Sequence, residues 1–246
     1  MAIIPLTGLN NPVGGVSFSV ILRDLCGQSF MPRFDDILDK SLTCIVQPTE
    51  EPLELDLVKK HCGLPVSVTE FDDLFTSQIK SAREQVESDC ERAFLEQTWR
   101  LKLEQFPRPT PYYAGNLSQA NFNIRQIELR RCPVIAIVAF THIDTAGESQ
   151  SLDVDDDYLQ NLEHEPGLLT PPARQSWPAC LPQMGCVTID FTCGYEDADH
   201  VPERAKQAMR MLIAHWWRNR EAASERPAKD HDRGYKSLID SLKWRE

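Results

Sequence analysis

The stretch Thr69 to Glu104, TEFDDLFTSQIKSAREQVESDCERAFLEQTWRLKLE, changes its hydrophobic period part-way along, and that change decides the fold class. Apolar residues recur at Phe71, Phe75, Ile79, Ala82, Val86, Cys90 and Ala93. Steps of three and four put them on one side of an α-helix, where successive residues turn by about 100°. Thr69 followed by Asp72 resembles a capping arrangement at its start. The pattern predicts a helix over about 70–95, on the order of 40 Å long, whose other face, Asp73, Lys80, Arg83, Glu84, Glu87 and Glu91, meets solvent or a neighbour. From Thr98 the period drops to two. Trp99, Leu101 and Leu103 alternate with Arg100, Lys102 and Glu104 until Phe106-Pro107 breaks the run, as in a strand with one buried face. A helix running straight into such a strand points to an α+β chain.

Working outward, further strands are expected over Gln126 to Arg130, Val134 to Ile143, a polar stretch near Leu152 to Leu162, and Cys186 to Cys193, with turns at Gly147, Gly167 and Pro171-Pro172. They make a β-rich lobe over about 97–195. Upstream, LELDLVKKHCG is a short amphipathic segment stopped by Gly63, and residues 1–50 suit irregular structure or a few short strands. Downstream, Pro202 opens a second helix over about 202–222, with Glu203 at its positive end. Its stripe is Ala205, Met209, Leu212 and Trp216, with Ile213 flanking, so Trp216 is expected in the core and Trp217 at the margin. Arg218 and Arg220 sit where positive charge stabilises a helix end.

The polar run AASERPAKDHDRG then reads as a tether, and Tyr235, Leu238, Ile239, Leu242 and Trp244 as a short amphipathic hook. Isolated helices shorter than about 12 to 15 residues are marginal in water, so the hook is expected to order on contact with the portal, the alternative being that it folds back on its own subunit, as apolar C-terminal helices commonly do. The resulting division is an extension at 1–51, a core at 52–222 in which long amphipathic helices pack together with the β-rich lobe inserted between them, and a tail at 223–246 with its C-terminal docking segment.

Composition narrows the function classes. With 37 acidic against 26 basic residues, the formal net charge of −11 argues against a surface that grips phosphate backbones. The eight cysteines show no Cys-x-x-Cys pair and are expected to be reduced, buried small hydrophobes of a protein assembled inside cells. The N-terminus has no basic start and is broken by Pro5, Pro12, Gly14 and Gly15, so no signal peptide is expected. No apolar run approaches the roughly 18 to 20 residues of a membrane span, and the chain is expected to be soluble.

Motifs that carry chemistry are missing. Asp153-Val-Asp-Asp-Asp157 begins like a calcium loop, but its sixth position is Tyr158 and its twelfth His164, where glycine and glutamate are needed. His142 and His215 lie among strand and helix residues without a nucleophile motif. Cys180, Cys186 and Cys193 with His200 are too widely spaced for a zinc site. No G-x-S-x-G, P-loop, G-x-G-x-x-G or H-E-x-x-H occurs. The expectation is no catalytic residue, no metal and no cofactor. The rival readings are a small metal-dependent hydrolase using the Asp153 to Asp157 cluster with a histidine, and a cytosolic α+β binding protein.

A set of segments in order carries a resemblance: ESDCERAF (87–94), QTWRLKLEQFP (97–107), LRRCPV (129–134), SWP (176–178), VTIDFTCGY (187–195), VPERAKQA (201–208), AHWWRNRE (214–221) and GYKSLIDSL (234–242). Over about 52–246 the chain resembles the head-tail connector, or adaptor, proteins of tailed bacteriophages. The resemblance implies a structural virion protein, assembled in the host cytoplasm, that forms a ring, usually of twelve copies, below the portal. Such a ring links the portal to a tail-proximal head-closure or tail-completion protein and leaves a channel through which genome DNA passes without tight binding. It implies no membrane partner. On this reading Trp217, Arg218, Arg220, Tyr235, Leu238, Ile239, Leu242 and Trp244 are the candidate contacts to neighbouring subunits or to the portal.

Overall fold

The computed structural model describes residues 40–107, 126–219 and 229–244. They form an α+β fold whose order is β1 (Lys40–Val46), α1 (Leu55–His61), α2 (Asp72–Cys90), β2 (Gln97–Leu103), β3 (Ile127–Leu129), β4 (Val134–Ile143), β5 (Ser149–Ser151), β6 (Leu159–Asn161), β7 (Gly167–Thr170), β8 (Val187–Cys193), α3 (Glu203–Arg218) and α4 (Lys229–Leu242). The change of period near residue 95 separates two hydrophobic cores, one helical and one β.

The helical core is the apolar face read from the sequence: Phe75, Ile79, Ala82, Val86 and Cys90 of α2, met by Ala205, Ala208, Met209 and Ile213 of α3. Two expectations about α2 are corrected. It ends at Cys90 rather than about 95, because Glu91 turns left-handed at φ 56°. Its 19 residues therefore span about 28 Å. Nor does Thr69 cap it with its side chain; the Asp72 N–H donates to the Thr69 backbone carbonyl. Phe94 and Leu95 are buried as the chain crosses into β2.

The main sheet is antiparallel with strand order β1-β2-β8-β4-β5, and β3, β7 and β6 make a second sheet in the order β3-β7-β6. Its centre, β8, alternates without a break: Val187, Ile189, Phe191 and Cys193 are buried, and Thr188, Asp190 and Thr192 lie on the other face. Leu101 pairs with Ile189 and Leu103 with Val187, which joins two strands far apart in the chain into one apolar surface. On the opposite face Asp190 accepts two bonds from the Arg100 guanidinium, at 2.7 and 2.6 Å. The β core is closed by Phe106 stacked on Trp177 at 5.0 Å and by Phe140 against Tyr158 at 4.9 Å. β1 is one of the two edge strands, so the segment read as an extension supplies, from residue 40, part of the sheet.

His142 is 5% exposed on β4, 5.5 Å from the Phe106 ring, and its Nδ1 has no hydrogen-bond partner among the described residues. Burial lowers its pKa, although Asp144 and Asp157 pull the other way. The neutral ring is therefore the folded form. Its contribution to stability is full above the unfolded value of about 6.5 and is lost as pH falls from there through the depressed folded value. His200 has the opposite sign: Asp197 raises its pKa, so its contribution is present below about 6.5 and fades as pH rises. The expected result is that His142→Phe flattens the fall in melting temperature between about pH 7 and pH 5. An unchanged pH slope would remove this role from His142.

Candidate assembly surfaces

The two cores meet at a buried polar network built from the ESDCERAF, QTWRLKLEQFP and LRRCPV segments. Glu87, on the last turn of α2, accepts from Arg83 Nη1, from the Phe94 backbone N–H and from Gln97 Nε2, each at 2.8 Å. Arg83, 1% exposed at its side chain, also donates through Nε to Glu51 at 2.9 Å. Burial alone lowers the Arg83 pKa, but Glu87 and Glu51 together raise it and hold the guanidinium charged. Burial also pushes the Glu87 carboxyl up, against its three donors. With those donors in place, the charged pair is the arrangement that leaves no buried partner unmet. Arg131 Nη1 donates to the Glu87 carbonyl at 2.7 Å, and its guanidinium lies 4.4 Å from the Trp99 ring. Arg92 pairs with both carboxylate oxygens of Glu165 and donates from Nε to the Leu242 carbonyl at 2.5 Å. The network ties the last turn of α4 to the β lobe.

That tie bears on the expected hook. Within the described residues the C-terminal segment packs on its own chain: Ile239 and Leu242 are 4% and 6% exposed in the helical core, with Tyr235 and Leu238 half-buried beside them. The Tyr235 hydroxyl donates to Asp89 Oδ2 at 2.6 Å, and burial, with this bond, raises its pKa. The free docking element is thereby corrected. An amphipathic helix finds its apolar partner in α2 and α3 before it reaches another protein. Trp244 is half-buried 6.0 Å from the Arg130 guanidinium. Arg218 is exposed, and Arg220 lies outside the described residues.

The division expected between the two indoles is not seen, since both are half-buried against the helical core. Trp217 packs edge-on against Phe71 at 5.1 Å and tilted against Phe75 at 4.9 Å, so its ring is engaged by α2 within the same chain. Trp216 is half-buried at the border of the same core. The reason is a small rotation of α3. Ile213 is 0% exposed and Leu212 9%, which turns the row Met209, Ile213, Trp217 toward α2. Trp217→Ala is expected to lower the stability of the isolated subunit by about 2 to 4 kcal/mol, more than Trp216→Ala. Thermal melts of the two variants check this, and a larger loss from Trp216→Ala would reverse it.

The other candidate clusters stay apart. Asp157 Oδ2 accepts from the Asp153 N–H at 2.9 Å, and Asp155, at φ 71°, makes the turn that delivers Tyr158 to the β core. Cys186 sits just before β8 and Cys193 at its far end, and His200 bonds Asp197 at 2.7 Å. Burial pushes Cys90 and Cys132 up to about 11 and raises Cys193 as well, as for packed thiols. Among the described residues no three His, Cys, Asp or Glu side chains gather as a metal site, and no helix is long and apolar enough to cross a membrane. In the cleft beside α4, Arg92 is paired with Glu165, and the Ser241 hydroxyl donates to the Leu238 carbonyl at 2.7 Å.

What the sequence reading missed lies on the main sheet. Three β-bulges interrupt it. In β4, Val134 faces Cys193 and Ala136 faces Thr192, leaving Ile135 as an extra residue; Ile137 faces Phe191 and Ala139 faces Asp190, leaving Val138. In β1, Cys44 faces Trp99 and Val46 faces Thr98, leaving Ile45. All three are aliphatic and exposed, Ile45 at 43%, Ile135 at 47% and Val138 at 61%, with Val46 next to Ile45 on β1 at 54%. A signal was available in the unbroken apolar run VIAIVAF (134–140), which has more apolar residues than one buried face needs.

No protein-family model matches the sequence, and no curated protein is significantly similar to it. Solved structures are. A chain of the neck of an empty gene transfer agent particle, computed with C6 symmetry, superposes with a TM-score of 0.62 at 17% identity, covering 84% of this chain and 96% of that one. A chain of the virion of the native particle gives 0.61 at 18% identity, over 83% and 96%. A chain of the native neck computed with C12 symmetry gives 0.56 at 17% identity, over 84% and 96%. The fold is that of neck chains of gene transfer agent particles.

Proposed function

We propose that this chain is a structural head-tail connector of a tailed, phage-like virion. It assembles as a ring below the portal, links the capsid to the tail through a head-closure or tail-completion protein, and surrounds a channel for DNA. The observation that carries the reading is the shared fold, which takes in 96% of a chain from a solved particle neck and 84% of this one. The sequence resemblance points the same way, and three of the segments that carry it, ESDCERAF, QTWRLKLEQFP and LRRCPV, supply the network that joins the two lobes. An acidic chain suits a conduit: a net charge of −11 repels passing phosphates rather than holding them. The role is one of assembly, without catalysis or a cofactor, and its place is the head-tail junction.

Arg218 and the exposed flank of α4 keep a place among the portal contacts, whereas Ile239 and Leu242 are committed to the subunit's own core. Native mass measurement and electron microscopy of the purified chain, alone and mixed with the portal of the same particle, test the reading. The expected result is a ring of about twelve copies seated on the portal, as closed cyclic assemblies are built from one repeated contact. A chain that stays monomeric alone and fails to join the portal overturns it.

A further inference from the structure

We propose that the two sides of the main sheet are the two halves of one contact between neighbouring copies of this chain: Ile135 and Val138 on the β4 side of one copy pack against Ile45 and Val46 on the β1 side of the next. The inference rests on the ring reading above and names the surface that builds it. β2 and β8 lie between β1 and β4. At about 4.8 Å per strand the two apolar sites stand some 14 Å apart across the sheet. A single foreign partner needs one site. A head-to-tail contact that closes into a ring needs two different ones, and two separate sites, one on β1 and one on β4, are present.

The chemistry of the two sites favours like meeting like. Neither SLTCIVQ (41–47) nor VIAIVAF (134–140) contains a charged residue. Identical subunits of net charge −11 repel one another, so an uncharged apolar contact is one of the few ways to bring their surfaces together without setting acid against acid. Sheet edges of monomeric proteins are guarded by lysine, proline or inward charge; here Lys40, Pro48 and Pro133 stand only at the ends of the two segments, and none lies beside Ile45, Val46, Ile135 or Val138. The bulges also say what kind of contact it is. β4 pairs with β5 only through Thr141, His142 and Ile143, so residues 134–139 have no second strand beside them among the described residues. Two bulges within that span break the register a continuous backbone ladder needs. Each ejects one β-branched side chain outward instead. The contact is therefore one of side-chain knobs rather than a strand-to-strand ladder.

Charge-swap mixing tests the inference in the full chain. Val138→Glu and Val46→Lys are each expected to leave a folded monomer, with ring formation weakened at least about tenfold. Mixed one to one, the two variants restore the ring, because each junction then sets either the introduced glutamate against the introduced lysine or valine against valine, alternating around an even ring. Ile135→Thr with Val138→Thr keeps the β-branching and serves as the milder variant. Wild-type rings together with unimpaired rings of both single variants overturn this contact and leave the connector reading standing. Single variants that stay monomeric even when mixed also overturn it, since the two sites then do not face each other. A melting temperature lowered in the Thr variant's monomer shows that a segment of the same chain covers the patch, and overturns it as well. A wild-type chain that forms no ring, alone or on the portal, removes the connector reading itself.

Discussion

Gly194→Ala is expected to cost about 4 kcal/mol or more, the range in which single substitutions unfold domains of ordinary stability. Gly194 follows β8 with φ at 122°, a conformation that side-chain-bearing residues rarely adopt. A Cβ there would lie 2.1 Å from the Leu95 carbonyl oxygen and 2.3 Å from its carbon, both backbone atoms that cannot swing away. The close approach is needed because this is where the β lobe is pinned to the helical one: the Gly194 N–H donates to the Pro133 carbonyl at 2.8 Å, and Leu95 lies in the bend between α2 and β2. Moving either backbone pulls on the Glu87 network next to it. Chemical denaturation of the variant measures the loss. A midpoint within experimental error of the wild type shows that the turn relaxes at no cost and that the close packing is incidental.

Deleting residues 234–246 is expected to destabilise the helical core by roughly 5 kcal/mol rather than merely detach a docking element. Leu242 and Ile239 fill the face of the core left by α2 and α3, and truncating one large buried aliphatic side chain costs about 2 to 5 kcal/mol. The same deletion removes the Tyr235 hydroxyl from Asp89 and the Leu242 carbonyl from Arg92, which leaves Arg92 half satisfied beside Glu165. Circular dichroism melts and binding of a hydrophobic dye report the outcome. A truncated chain that melts like the full one, with no newly exposed apolar surface, returns the segment to the role of a free hook.

Most of the long elements were legible, whereas Gly167, expected as a turn, opens β7, and the strand expected near Leu152 to Leu162 is reduced to β6 at Leu159–Asn161. The three-and-four spacing of α2, the alternation of β2 and β8 and the bounds of β4 follow from local geometry, since a side chain's direction on a helix or strand is set by its own backbone. α1 was legible for the same reason, from LELDLVKKHCG and its glycine stop. What failed were statements about which partner covers a face. The stripe on α3 holds both Leu212 and Ile213, and a rotation of a few tens of degrees decides whether Trp216 or Trp217 meets Phe75. The hook at Tyr235 to Leu242 has the pattern of a docking helix, and nothing local distinguishes docking on a neighbour from docking on its own α2 and α3.

By itself, then, the sequence determined the α+β class, the order of the main helices and of β2, β4 and β8, the acidic net charge and the resemblance in quoted segments, all of which depend on residue type and spacing along the chain. Tertiary structure alone decided that Arg83, Glu87, Gln97, Arg92 and Arg131 converge on one junction, that the C-terminal helix completes the subunit's own core, and that three bulges push Ile45, Ile135 and Val138 outward. The physical reason is the same in each case. These features come from pairings between residues far apart in the chain, as where β2 meets β8 or Arg92 meets Leu242, and a register slip of one residue across such a pair reverses which side chains are covered.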